Sequence, residues 1–158
     1  MTTTRELFLI TGIPGTGKTT YGSELAQRFG FVHYDIEDGP TGERLSAAPA
    51  IFIDDLLRQG RNTVVTWGFV PDDPISVSIT LEFKNSGFKL LWFDGNRPAA
   101  LWEFIKRGTV PEILFYLQMY RIEASKIIDT IKPIVIDPFD ALGNFKSTDI
   151  LLQEIRHQ

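Results

Sequence analysis

The residues Gly12-Ile13-Pro14-Gly15-Thr16-Gly17-Lys18-Thr19 have the types and spacing that most directly do chemistry in this chain. They satisfy the GxxxxGK[ST] pattern, directly after an apolar run and directly before a segment with helical spacing. Glycines let the backbone turn sharply and approach anionic oxygens closely. Successive backbone N–H groups then form an anion cradle, and the helix that follows adds the positive end of its dipole. Lys18 reaches β- and γ-phosphates in such a loop, and the Thr19 hydroxyl ligates Mg²⁺. The expected phosphate-binding set is Gly12, Pro14, Gly15, Thr16, Gly17, Lys18, Thr19 and Thr20, with Mg·ATP as the expected ligand.

Composition narrows the remaining chemistry. The 158 residues carry a formal charge of −4 and contain no basic run, which counts against a nucleic-acid surface. The absence of cysteine excludes disulfides and thiolate metal sites. The apolar run Leu7–Ile10 is far too short for a signal peptide or a membrane span, so no membrane partner and a cytoplasmic setting are expected.

Elements that must position the loop recur along the chain. Strand-like runs occupy Leu7–Thr11, Phe31–Tyr34, Thr63–Thr66, Phe88–Phe93 and Pro133–Ile136, three of them nearly continuous in apolar residues. Helical spacing fills Thr19–Phe29, Ala47–Gln59, Pro74–Asn85, Pro98–Arg107, Pro111–Thr130 and Ser147–Arg156. In the second of these, Ile51, Leu56 and Leu57 are expected on one face; in Pro111–Thr130, Leu114, Leu117, Ile122 and Ile128 are available for packing. The stretch Glu37–Ser46 reads as a mobile loop. Alternation of strand and helix indicates a single α/β domain over residues 1–158, with a mostly parallel sheet and right-handed crossovers.

The loop, the small size and the lack of a second domain resemble the P-loop small-molecule and nucleotide kinases: the shikimate, gluconate and adenylate kinases and related ATP-binding kinase-like proteins. That resemblance implies a three-layer P-loop NTPase fold, five strands in the order 2-3-1-4-5, and a short lid at Gly108–Pro111. It also implies ATP and Mg²⁺ as cofactors and a small-molecule acceptor. Phe31-Val32-His33-Tyr34-Asp35 looks like the second strand of these kinases, which ends in an acidic residue facing the acceptor. Asp35 then orients or deprotonates an acceptor hydroxyl, or holds Mg²⁺ through water; the alternative is a solvated carboxylate in a run with Glu37 and Asp38.

Lys18, Asp35 and Arg107 form the expected catalytic set, and Thr19 and Asp35 the expected metal set. Arg107 falls at the end of the helix leading into the lid, where these kinases place an arginine over the transferring phosphate. Lys106 and Arg121 are further basic candidates. Two departures stand out. The third strand ends in Thr66 and Trp67, with no carboxylate before Asp72, and Glu103 occupies the position of a common base-contacting arginine. Trp67 and Phe69 stack on an acceptor ring or belong to the core. The loop Ile136-Asp137-Pro138-Phe139-Asp140 is expected beside the nucleotide base. The primary expectation is a kinase; the alternative is an ATP-binding regulatory module without transfer chemistry.

Overall fold

A computed structural model of the chain describes residues 4–108 and 110–158. It begins with β1 (Leu7–Gly12), α1 (Lys18–Phe29), β2 (Val32–Asp35), α2 (Gly39–Ala47) and α3 (Pro49–Arg58). There follow β3 (Thr63–Thr66), α4 (Pro74–Asn85), β4 (Lys89–Phe93) and α5 (Arg97–Lys106). The chain ends with α6 (Ile113–Ser125), α7 (Ile127–Ile131), β5 (Ile134–Ile136) and α8 (Thr148–Arg156). The five strands form one sheet in the order β2-β3-β1-β4-β5, and every pairing is parallel. The expected strand order holds, and the sheet is parallel throughout.

Side-chain alternation along the strands builds two apolar layers. Leu7, Leu9, Val65, Leu90 and Trp92 face a layer completed by α2 to α7. Phe8, Ile10, Val64, Leu91 and Phe93 face a second, completed by α1 and α8. Adjacent residues of one strand thus serve opposite layers, which is why these strands read as unbroken apolar runs.

Four local expectations are corrected. The stretch read as a mobile loop is mostly α2: Pro40 stands in its first turn, Asp38 accepts from the Thr41 hydroxyl at 3.0 Å, and Leu45 anchors it in the core. The long helix expected over Pro111–Thr130 breaks at Lys126, whose φ is 54°. The break re-aims the chain so that Ile127 and Ile131 both enter the core. On α3 the buried face carries Phe52, Ile53 and Leu56, while Ile51 is 65% exposed. Likewise Phe115 and Met119 pack inward on α6, with Leu114 and Leu117 exposed. The lid expected at Gly108–Pro111 includes Thr109, which lies outside the described residues.

Candidate functional site

The phosphate loop joins the end of β1 to the start of α1 and is held from both sides. Ile13 N–H donates to the Phe93 carbonyl at 3.0 Å, tying the loop to β4. The buried Thr16 hydroxyl donates to the Ile13 carbonyl at 2.8 Å, closing the loop on itself. Gly12 and Gly15 have φ of 134° and 79°, and a Cβ on either would run into backbone of Phe93 or Ala100. Glycine is therefore required at both positions by conformation and by space. Gly15 in particular lets α5 press directly on the loop.

Lys18 is partly buried. Its ammonium donates to the Ile13 carbonyl at 2.8 Å and lies 3.4 Å from the Thr16 hydroxyl. Desolvation lowers its pKa from 10.5 to about 8, with Glu37 opposing the shift and Arg107 adding to it. A lysine held this way gains most when an anion arrives. The Thr19 hydroxyl lies on the first turn of α1 and reaches Asp35 Oδ2 at 3.5 Å. A hydroxyl and a carboxylate oxygen side by side beneath a phosphate cradle suit a hard divalent cation, which takes oxygen ligands and keeps several waters. The residues present thus fit a polyphosphate with Mg²⁺.

A cleft of about 130 Å³ opens beside this loop. Gly12, Pro14, Lys18 and Thr19 form its floor, and Thr66, Trp67, Gly68 and Phe69 follow the end of β3 along one wall. Trp92, Arg107, Gln118 and Ile122 contribute from β4, the end of α5 and α6. Glu37, in the turn after β2, completes it. Parallel strands deliver their C-terminal ends to one edge, so these residues converge although the sequence scatters them. The aromatic wall is continuous, with ring centroids of Trp67 and Phe69 5.4 Å apart and those of Phe69 and Trp92 6.4 Å apart. Phe69 and Trp92 are mostly core, whereas Trp67 is partly open to the cleft.

Lys18, Thr19 and Arg107 therefore line one cleft, and Asp35 lies beside it, within 3.5 Å of the Thr19 hydroxyl. Lys106 pairs with Glu103 at 3.0 Å, and Arg121 donates through Nε to Asp72 at 3.1 Å. Glu37 is the residue that sequence reasoning set aside. Its Oε1 accepts from Gly68 N–H at 3.1 Å, which brings a carboxylate against the end of β3 where the chain itself supplies only Thr66. Glu37 lies in the turn after β2, where no strand alternation marks it in the sequence.

Behind the cleft, His33 Nε2 lies 2.8 Å from the Thr66 hydroxyl and its Nδ1 lies 3.4 Å from the Ser23 hydroxyl. Burial lowers the pKa of His33, against the pull of Asp35. It acts as a neutral strut between α1, β2 and β3.

A second cavity, of about 240 Å³, lies on the other side of the loop. Thr16, Gly17 and Thr20 border it, with Tyr21, Phe93, Pro138 and Phe145 among its walls. The Phe145 ring stacks on Phe139 at 4.8 Å between centroids and approaches Gly17. Pro138 comes from the loop expected beside the base; Phe145, further along, carried no sequence signal.

No protein-family model matches the chain, and no curated protein matches it. Solved structures do. The shikimate kinase of Bacteroides thetaiotaomicron is 16% identical, with a TM-score of 0.59 over 96% of each chain. The gluconokinase of Sinorhizobium meliloti is 14% identical, with a TM-score of 0.57 over 96% of this chain and 90% of its own. The tunicamycin resistance protein of Deinococcus radiodurans is 14% identical, with a TM-score of 0.62 over 98% and 95%. At such identities the likeness speaks for architecture, and chemistry has to be argued from the site. The sheet order, the loop and these neighbours together establish that this chain has the fold of the P-loop small-molecule kinases.

Proposed function

We propose that the protein is an ATP-dependent phosphotransferase acting on a hydroxyl of a small molecule. The observation that carries this reading is one cleft lined by Lys18, Thr19, Glu37 and Arg107, with the Thr19 hydroxyl 3.5 Å from Asp35. In this reading the loop backbone and Lys18 hold the β- and γ-phosphates, and Thr19 and, through water, Asp35 would hold Mg²⁺. A bound metal would neutralise charge on the β- and γ-phosphates.

Arg107 faces the γ-phosphoryl oxygens from the end of α5 and stabilises the charge spread over them. The acceptor hydroxyl oxygen bonds to the γ-phosphorus as the bond to the β,γ-bridging oxygen breaks. ADP leaves, and the hydroxyl proton passes to Asp35. The nucleotide base occupies the second cavity, between Phe145 and the start of α1. Replacing Lys18 with Ala removes the only loop cation; ADP formation in the presence of acceptor is expected to fall at least about 100-fold. Unchanged turnover in that variant overturns the reading.

One observation favours a non-catalytic ATP-binding module instead. At the end of β3, where a carboxylate is usual in the fold, stands Thr66, and its hydroxyl is engaged by His33. Under that reading Mg·ATP stabilises the fold by about 2.7 kcal/mol at 100 times its Kd, with no phosphorylated product from any acceptor. Detection of such a product excludes it.

A further inference from the structure

If the protein is the phosphotransferase proposed above, the charge inventory of its cleft limits what kind of acceptor it takes. The charged residues lining the cleft, among those described, are Lys18, Glu37 and Arg107. Both cations are committed to phosphate oxygens in that reading, Lys18 from the loop and Arg107 from the end of α5. Neither is left over for a carboxylate or phosphate on the acceptor.

The next cations along the walls are held elsewhere. Arg121 follows Gln118 and precedes Ile122 on α6, yet its guanidinium is forked onto Asp72. Arg97 bridges Asp94 and Glu123, and Lys106 pairs with Glu103. The cleft does offer negative charge. Glu37 uses Oε1 on Gly68 N–H, and no donor engages its Oε2 among the described residues. An anionic acceptor placed against that carboxylate meets like charge with no free cation to offset it, so it is disfavoured relative to an uncharged one. The rest of the wall is the ring of Trp67, the edges of Phe69 and Trp92, Ile122 and the Gln118 amide. Such a surface suits a flat ring with hydrogen-bonding edges.

We infer that the acceptor is a ring-bearing hydroxyl compound without an anionic group, uncharged or cationic, lying on Trp67 with a polar edge on Glu37. A nucleoside or an aminocyclitol has this chemistry; a nucleoside monophosphate or a cyclic polyol acid does not.

The test uses matched pairs that differ only in the anionic group: a nucleoside with its 5′-monophosphate, and a cyclic polyol acid with its methyl ester. Two quantities are read for each: kcat/KM from ADP formation, and Kd by calorimetry on the protein saturated with Mg·ADP. The uncharged member is expected to lead by at least tenfold in both. Equal or stronger binding of the anionic members overturns the inference, whatever the turnover. Failure of every compound to bind the loaded protein overturns it too. Tighter binding of uncharged members with no ADP formed from any supports the charge preference and removes the phosphotransfer reading. Gln118→Arg adds a cation to the wall and is expected to narrow the preference about tenfold; an unchanged ratio counts against the inference.

Discussion

Asp35 and Glu37 stand two positions apart and take different work from the turn that separates them. Asp35 ends β2 and reaches Thr19, whereas Glu37 swings across to Gly68. Asp35→Asn keeps the shape and removes the charge; its kcat is expected to fall by about 10²-fold or more with acceptor KM little changed, as steady-state kinetics will measure. The depressed pKa of Lys18 gives a pH dependence with a defined sign. In the free protein the ammonium loses its proton as pH rises through about 8, and phosphate binding requires the charged form. Titration calorimetry is therefore expected to give a Kd for ATP that rises roughly tenfold per unit above pH 8 and is flat below it. A different residue carries an uncompensated cost. The Tyr21 hydroxyl is buried without a hydrogen-bond partner among the described residues, and Tyr21→Phe is expected to leave the melting temperature unchanged or raise it.

At the scale of elements, α1 and the sheet are fitted with almost no clearance. A Cβ at Gly22 would lie 2.6 Å from His33 Nε2 and 2.8 Å from the Thr66 methyl. Gly22→Ala thus pushes on the strut that spaces α1 from β2 and β3. It is expected to destabilise the protein by about 1–3 kcal/mol in urea unfolding, and to raise the Kd for ATP because Lys18 and Thr19 ride on the same helix. Much of this level was legible in the sequence. Leu7–Gly12, Thr63–Thr66 and Lys89–Phe93 are central strands covered on both faces, so their apolar runs are unmistakable. What escaped was local. The Gly-Pro-Thr-Gly segment of α2 has breaker composition, yet Leu45 and the Asp38–Thr41 contact hold it helical. The break at Lys126 has no glycine or proline to announce it and follows from where Ile127 and Ile131 must go.

At the scale of the whole molecule, the loop between β1 and α1 was readable because its pattern lies in contiguous residues. Of its cleft, Arg107, Trp67 and Phe69 were anticipated through family resemblance, whereas Glu37 and Gln118, from other segments, were not. No periodicity within a segment reports where another segment's side chain will point. The order of the strands likewise came from family resemblance, since pairing between distant runs leaves no local mark. Among the described residues no helix is long and apolar enough to cross a membrane.

The sheet places the two cavities in different layers. The cleft with Phe69, Trp92 and Ile122 belongs to the side of α2 to α7, and the cavity with Tyr21, Phe93 and Leu151 to the side of α1 and α8. Their common border is the phosphate loop. Phe145→Ala is accordingly expected to raise KM for ATP alone, and Trp67→Ala to raise KM for the acceptor alone, in a two-substrate kinetic matrix. An architecture divided this way is open to grafting. Under the proposed function, the wall around Trp67 can be exchanged for another without disturbing the half around Phe145, so long as Gly15 keeps its seat against α5.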